Sequence, residues 1–540
     1  MITHRIAHLV RAHGVSAPSV LAVTFTNKAA GEMRERVQKL LGSHSTSSTP
    51  VVSTFHSFCV RLLRRSGSPL ADIRPGFTQS FNIYDSDDQN SLVKSIFRQL
   101  GLDEKSFMKA SAVLSRISHA KNRKEGPQDI YQNAKDPNAA RIGKVFEIYE
   151  DRLRQSNALD FDDLLLESVR LLRHDEETRR FYNNRFEFIM IDEYQDTNRS
   201  QYDLIRLLTE RHKNLCAVGD EDQSIYGWRG ANIRNILDFE RDFPKAAVIR
   251  LEQNYRSTKN ILEAASQLIA RNTERKGKWL WTEHDTGPKI GLYQAPDGEN
   301  EALFIAETIE TQLRKNPKLR VAVLYRTNFQ SRQIEEALRR YNRKYLMVGG
   351  FSFYQRAEIK DLIAYLKFLA SPHDSISLLR IINTPARGIG KTTVEQIEQY
   401  ALEHNLSMWS AMENMVVERA FPPRAEAAVM AFGTMMEDLR QGLQERPISE
   451  TLNEIIDRTG YRKMLSDGTP ESESKLGNIE ELVNAAAEAG ERGETISDFL
   501  DHAALVAESD ELDEQAQVTL LTIHNAKGLE FPVVFIAGME

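Results

Sequence analysis

The stretch "FIMIDEYQDT", residues 188–197, decides how the chain is read. Its four apolar residues, Phe188 to Ile191, form the kind of short run that makes a buried parallel strand, and they end in Asp192 and Glu193. Such a strand presents ligand-binding chemistry at its C-terminal end, where these acids fall. For nucleotide hydrolysis one carboxylate would hold Mg²⁺ and the other would polarise the attacking water. Consecutive strand residues point to opposite faces, which suits that division of labour. Taken alone, Asp-Glu after a strand is an ordinary loop start.

Working outward, the same grammar of strand, turn and helix recurs. "VLAVTFT" leads into the helical "NKAAGEMRERVQKLL", and "LCAVGD" and "AAVIRL" supply further short apolar runs. A second series runs from "ENEALFIAETIETQLRK" through "RVAVLYR", "SRQIEEALRRYN" and "KYLMVGG", and returns at "VTLLTIH" and "FPVVFIAG". The fold class is α/β, with two parallel-sheet cores each split by a mostly helical insertion. The first core takes residues 1–66 and 156–258, with an insertion at 67–155; the second takes 259–356 and 513–540, with an insertion at 357–512. Helical patterns such as "IKDLIAYLKFLA" and "VEQIEQYALEH" fill the second insertion. "GSHSTSSTP", "RSGSP" and "SDGTPESES" read as loops.

Bulk composition bounds the function. A chain of 540 residues exceeds one hydrophobic core and implies several domains. The net charge of −7 offers nucleic acid no general attraction, so any such binding is local. The first sixty-odd residues are rich in Arg and Lys, while 471–515 are strongly acidic, as a solvated helix face would be. Cys59 and Cys216 sit among apolar neighbours, which predicts buried, reduced thiols and a cytoplasmic location. "MITHRIAHLVRAHG" reads as a helix carrying Ile2, Ile6, Leu9 and Val10, not as a signal peptide, and no apolar run predicts a membrane span. No Cys or His cluster has zinc or iron–sulfur spacing.

Beyond "DEYQDT" lies "VGDEDQSIYGWRGA" (218–231), three acids, a glutamine and two aromatics between glycines. Together they resemble motifs II and III of the superfamily 1 DNA helicases, the UvrD/PcrA/Rep family. The resemblance runs almost end to end: "VTFTNKAAGEM" (23–33), "TFHSFCVRLLR" (54–64), "LDFDDLL" (159–165), "LEQNYRST" (251–258), "VLYRTNFQSR" (323–332), "INTPARGIG" (382–390) and "TIHNAKGLEFPVVF" (522–535) follow in family order. It implies RecA-like cores, ATP and Mg²⁺ as cofactors, and single-stranded DNA and single-strand/duplex junctions as partners.

The resemblance also implies roles. Asp192 would hold Mg²⁺, Glu193 would activate water, Gln223 would sense the γ-phosphate and Arg256 would act as an arginine finger. Tyr255 would stack on adenine and Glu530 would contact the ribose. Trp228 would stack on a base, a contact that holds any base without reading sequence. Tyr226 and Arg229 would shape base pockets. Phe25 would line another, beside Asn27 and Lys28 at a helix N-terminus suited to phosphate, and His56 would touch the DNA backbone. His524, Arg326 and Asn328 would meet DNA from the second core, and Gly388, Gly390 and Lys391 would hold duplex. Read without the family, Phe25 is more often a core residue, His56 a cap, "NYRS" a turn with an exposed Arg, and "RGIG" equally an ordinary turn. Trp228 lies only five positions beyond Gln223, so the loop would couple phosphate loss to the DNA track.

Two departures qualify this. No G-x-x-x-x-G-K-[ST] phosphate loop occurs, and the chain ends just past motif V without the Arg-bearing motif VI. The expectation is a family of ATP-dependent 3′–5′ helicases serving DNA repair or replication, with this chain alone inactive, hydrolysing ATP negligibly and not unwinding duplex while still binding DNA weakly. The competing readings are a non-catalytic DNA-binding remnant and the helicase subunit of a helicase–nuclease. Oligomeric state and partner proteins stay open.

Overall fold

The computed structural model describes residues 1–42, 49–134, 136–348, 353–443, 445–466, 470–505 and 516–540. The acidic "SDELDEQ", the 512/513 boundary, the last two glycines of "KYLMVGG" and parts of the "GSHSTSSTP" and "SDGTPESES" loops lie outside the described residues.

Two four-stranded parallel sheets organise the chain. The first has the order β2–β1–β5–β6, with β1 at Val20–Thr24, β2 at Val51–Thr54, β5 at Phe188–Ile191 and β6 at Leu215–Ala217. The second has the order β10–β7–β9–β8, with β7 at Val321–Tyr325, β8 at Leu346–Val348, β9 at Val518–Thr522 and β10 at Val533–Ile536. A two-residue ladder joins β3, Asn82–Ile83, to β4, Ala158–Leu159. Ala22 pairs with Met190, and Met190 with Cys216.

Alternation along β1 explains how one strand serves two core layers. Leu21 and Val23 pack with Ile189, Ile191, Phe58, Leu62 and Leu164 on one face. Val20 and Ala22 pack with Met190, Ile2, Ile6 and Val37 on the other. Helix starts follow their caps: Thr26 accepts from Ala29 N to open Asn27–Leu41, and Thr54 accepts from Ser57 N to open Phe55–Ser66.

Helices Ser86–Gln99, Ala110–Arg123 and Pro137–Gln155 close around Tyr84, Ile96, Val113 and Tyr149. Helices from Ala357–Ala370 to Ile496–Leu505 close around Leu362, Phe368, Phe432 and Leu482.

Three expectations need correction. "AAVIRL" is not a strand of the first sheet: Val248, Ile249 and Leu251 are exposed, and nearby only the isolated bridge Gln253–Trp281 forms. An apolar run states what can be buried but not which backbone will pair with it. Cys59 is buried, its thiol pushed up to about 12 by desolvation, but Cys216 is only half-buried; both are free thiols. Strand alternation does not separate Asp192 from Glu193 either. β5 stops at Ile191, and Glu193 is turned aside by left-handed backbone with φ 52°.

Candidate nucleotide and DNA site

Main-chain bonds fix the carboxylate pair. Asp192 N donates to Val23 O at 2.9 Å, and Tyr194 N donates to Val218 O at 2.9 Å, so the strand end and the start of the 218–231 loop are held together. Buried Gln195 joins them: its Nε2 donates to Glu193 Oε2 at 2.5 Å and its Oε1 accepts from Asp220 N at 2.9 Å. Burial, and then the charge of Glu193, push the Asp192 carboxyl above its ordinary range. A divalent cation would remove both penalties, so Asp192 fits a Mg²⁺ ligand. Among the described residues no group of three or more His, Cys, Asp or Glu forms a metal cage.

The loop itself is a pair of tight turns, Glu221–Gln223 and Gly227–Arg229. Gln223 is exposed and donates through Nε2 to Asp220 Oδ2 at 2.8 Å. Asp222 is gripped by Arg275 at 2.9 and 2.7 Å, and Lys278 pairs with Asp220. Trp228 is 55% exposed, with the Arg229 guanidinium 4.7 Å from its ring centre.

The second sheet meets this loop through the segment after β9. Tyr226 Oη donates to His524 O at 3.0 Å, and the Trp228 and His524 rings meet edge-on at 5.6 Å. Lys527 donates to Gln223 O at 2.7 Å, pairs with buried Asp196, and lies 3.7 Å from Glu193. Desolvation, with Arg326 and Arg229 nearby, keeps the His524 imidazole below its ordinary pKa. Arg326 Nη1 lies 3.5 Å from His524 Nδ1, and exposed Asn328 opens the turn that follows. Glu530 Oε2 accepts from Arg256 Nε at 2.6 Å, while neighbouring Tyr255 is 75% exposed and its hydroxyl reaches Gln253.

Phe25, half-buried, meets Phe55 edge-on at 6.0 Å just after β1. Asn27 donates to Leu505 O at 2.8 Å, so one amide hydrogen is engaged inside the protein; Lys28 follows it in the first helical turn. His56 packs edge-on to Phe161 at 5.8 Å, and burial lowers its pKa to about 4. Gly388, with φ 83°, and Gly390, which precedes helix Lys391–His404, both face open space, and the exposed Lys391 pairs with Glu395 at 3.5 Å. No hydrogen bond or ion pair described here joins this turn to the loop at 218–231.

The sequence reading missed Gln195, Lys527, Arg275 and Lys278. Gln195 and Lys527 stood inside quoted motifs, but their importance is relational: one bridges two loops and the other two sheets. Arg275 and Lys278 lie in a segment without periodic pattern, where nothing local marks them.

Two parallel sheets whose strand-end loops meet at a carboxylate pair, an exposed indole and an arginine have the architecture of paired RecA-like helicase cores. Residues 1–244 match the UvrD/REP helicase N-terminal domain, and residues 249–540 match the UvrD-like helicase C-terminal domain. The ATP-dependent DNA helicase PcrA of Staphylococcus epidermidis is 44% identical over 546 aligned residues, which cover 100% of this chain and 74% of that protein. PcrA of Staphylococcus aureus is similar to the same extent, 44% over 546 residues. The chain belongs to the UvrD/REP family of ATP-dependent DNA helicases. No helix among the described residues is long and apolar enough to cross a membrane.

Proposed function

We propose that this chain is the body of a cytoplasmic helicase that moves 3′ to 5′ on single-stranded DNA and opens junctions during repair or replication. The observation that supports it is the position of the 218–231 loop, bonded on one side to the Glu193 strand end and on the other to His524 and Lys527 of the second sheet. A change at phosphate is then a change at the indole.

In this reading Asp192 holds Mg²⁺ and Glu193 takes the proton of the attacking water, while Gln223 reads the terminal phosphate. Arg256 stabilises the charge that develops, having left Glu530, which turns to the ribose beside Tyr255. ATP, when bound with Mg²⁺, supplies the phosphoanhydride whose cleavage drives the cycle. Trp228 stacks on a base, Tyr226, Arg229 and Phe25 shape its neighbours' pockets, and Arg326, Asn328, His524, Asn27 and Lys28 follow the backbone. His56 stays neutral near pH 7 and offers the backbone a hydrogen bond without charge. Gly388, Gly390 and Lys391 face duplex, which a glycine turn in open space can approach closely.

The test is strand displacement by the full-length polypeptide on 3′-tailed and 5′-tailed duplexes with ATP and Mg²⁺. Only the 3′-tailed substrate should open. Preference for the 5′ tail, or opening without ATP, overturns the proposal. Glu193→Gln should lower turnover by about a hundredfold or more, the scale of a lost general base, while nucleotide binding persists.

A further inference from the structure

Asn122 lies near the end of helix Ala110–Arg123 and touches three separated pieces of chain. Its Nδ2 donates to Ser118 O of its own helix at 2.9 Å and to Asp162 Oδ1 at 3.1 Å. Its Oδ1 accepts from Asn198 Nδ2 at 3.0 Å. Asn198 caps helix Arg199–Leu208 immediately after the "DEYQDT" turn. On the remaining side stands Gly230, in left-handed backbone at φ 87°, where a Cβ would come within 3.2 Å of Asn122 Cγ. Gly230 is two residues beyond Trp228.

The next residue back removes any slack. Lys121 is buried, and its ammonium is held by Asp160 at 2.7 Å, Asp163 at 2.8 Å and Glu150 at 2.8 Å. The last turn of this helix is therefore fixed to the start of helix Phe161–His174, and the Asn122 amide is presented at a set height beneath the loop. Both amide hydrogens and the carbonyl are used, so Asn122 has no second rotamer with equal bonding.

We propose that Asn122 is a positioning residue for the Trp228 platform, through which helix Ala110–Arg123 sets where the indole stands. This rests on the reading of Trp228 as a base contact. A residue with no such role would only brace the helix, and its loss would show in stability alone.

The test compares Asn122→Ala, Asn122→Asp and the double variant Asn122→Asp/Asp162→Asn, in the full chain, at a temperature where each is folded. Oligo-dT affinity and DNA-dependent quenching of the Trp228 fluorescence are measured, the latter as the difference from Trp228→Phe, alongside urea midpoints. Asn122→Ala should weaken oligo-dT binding about fivefold, the low end of a lost base stack, and reduce the quench. Asn122→Asp, facing Asp162, should do the same, and the double variant should recover part of both signals relative to Asn122→Asp, because the bonds to residues 162 and 198 return when amide and carboxylate exchange sides while the bond to Ser118 O does not. Affinity and quench unchanged in Asn122→Ala while its urea midpoint falls would make the residue a brace and overturn the proposal. Should Asn122→Ala not fold, the exchange pair decides, since failure of the double variant to recover the quench relative to Asn122→Asp counts equally against it. Oligo-dT binding that survives Trp228→Ala intact overturns the reading of Trp228 instead.

Discussion

At His56 the chain holds an imidazole neutral near pH 7. The ring packs on Phe161, and burial brings its pKa down from 6.5 to about 4. A depressed histidine contributes stability that is present above its unfolded pKa and lost as pH falls toward its folded one, so the window runs from about 6.5 down to 4. The contribution is at most about 3 kcal/mol, and less because His56 as a residue is only half-buried. Urea midpoints measured across that window should fall, and His56→Gln should flatten the fall; an unchanged slope would show that other groups carry it. The second consequence concerns DNA: salt dependence of binding should be the same in His56→Gln as in the parent, because a neutral ring displaces no counterion. Glu193 teaches a different lesson at this scale. Its type was legible in "IDEYQD", but its left-handed φ was not, because only the packed turn, with Gln195 across it, selects that conformation.

The turn that brings the loop beneath the carboxylates depends on an absent side chain. A Cβ on Gly219 would stand 2.5 Å from Gln195 Oε1, 2.9 Å from Ile236 Cδ1 and 3.1 Å from Tyr194 N. Buried Gln195 cannot move without releasing Glu193 or Asp220. Gly219→Ala should therefore cost about 1–3 kcal/mol by urea unfolding, as overpacking does, and lower DNA-stimulated hydrolysis along with it. The pair Arg256–Glu530 is of another kind: both side chains are 63% exposed, so it is worth under about 1 kcal/mol, and in the proposed reading it exchanges for nucleotide. Arg256→Ala should leave the thermal midpoint almost unmoved while removing turnover. Most elements were legible where pattern and partner coincide. Val20–Thr24 and Phe188–Ile191 read as strands and are neighbours, because a run buried on both faces has one use in a parallel sheet. The run at 246–251 carries the same signal without a ladder partner and stays outside both sheets. The motif residues around Gln223, Trp228 and His524 were legible as a set, whereas Lys527, which bonds across the two sheets, depends on contacts more than three hundred residues apart that no local window contains.

Across the whole molecule the two helical insertions are fastened to each other and to the first core by buried charge. Arg64 forks onto Asp501 at 2.9 and 2.7 Å, Lys360 reaches Asp85 at 3.1 Å, and Lys367 reaches Asp88 at 2.7 Å and Ile83 O at 3.1 Å. Asp374 is the centre of this junction. Fully buried, it accepts from Tyr84 Oη at 2.7 Å, Asn82 Nδ2 at 2.9 Å and Ser377 Oγ at 2.8 Å, and it caps helix Ser375–Ile381 through Ile376 N and Ser377 N. Its two oxygens serve segments nearly three hundred residues apart in sequence, which is why no motif announced it. Truncation would remove a helix cap, worth about 1 kcal/mol, and would strand a buried phenol and amide at about 1–3 kcal/mol each. Asp374→Ala should thus lose roughly 3–7 kcal/mol, and the loss should be local because large chains of several cores open in parts. Hydrogen exchange is the measurement: amides of Ser86–Gln99 and Ser375–Ile381 should lose protection while those of Val20–Thr24 and Phe188–Ile191 keep theirs. Added salt should not reproduce the effect, since buried pairs are poorly screened. Uniform loss of protection in all four segments would instead mean that the insertions and the first sheet unfold as one unit, and that the junction is no separate fastening.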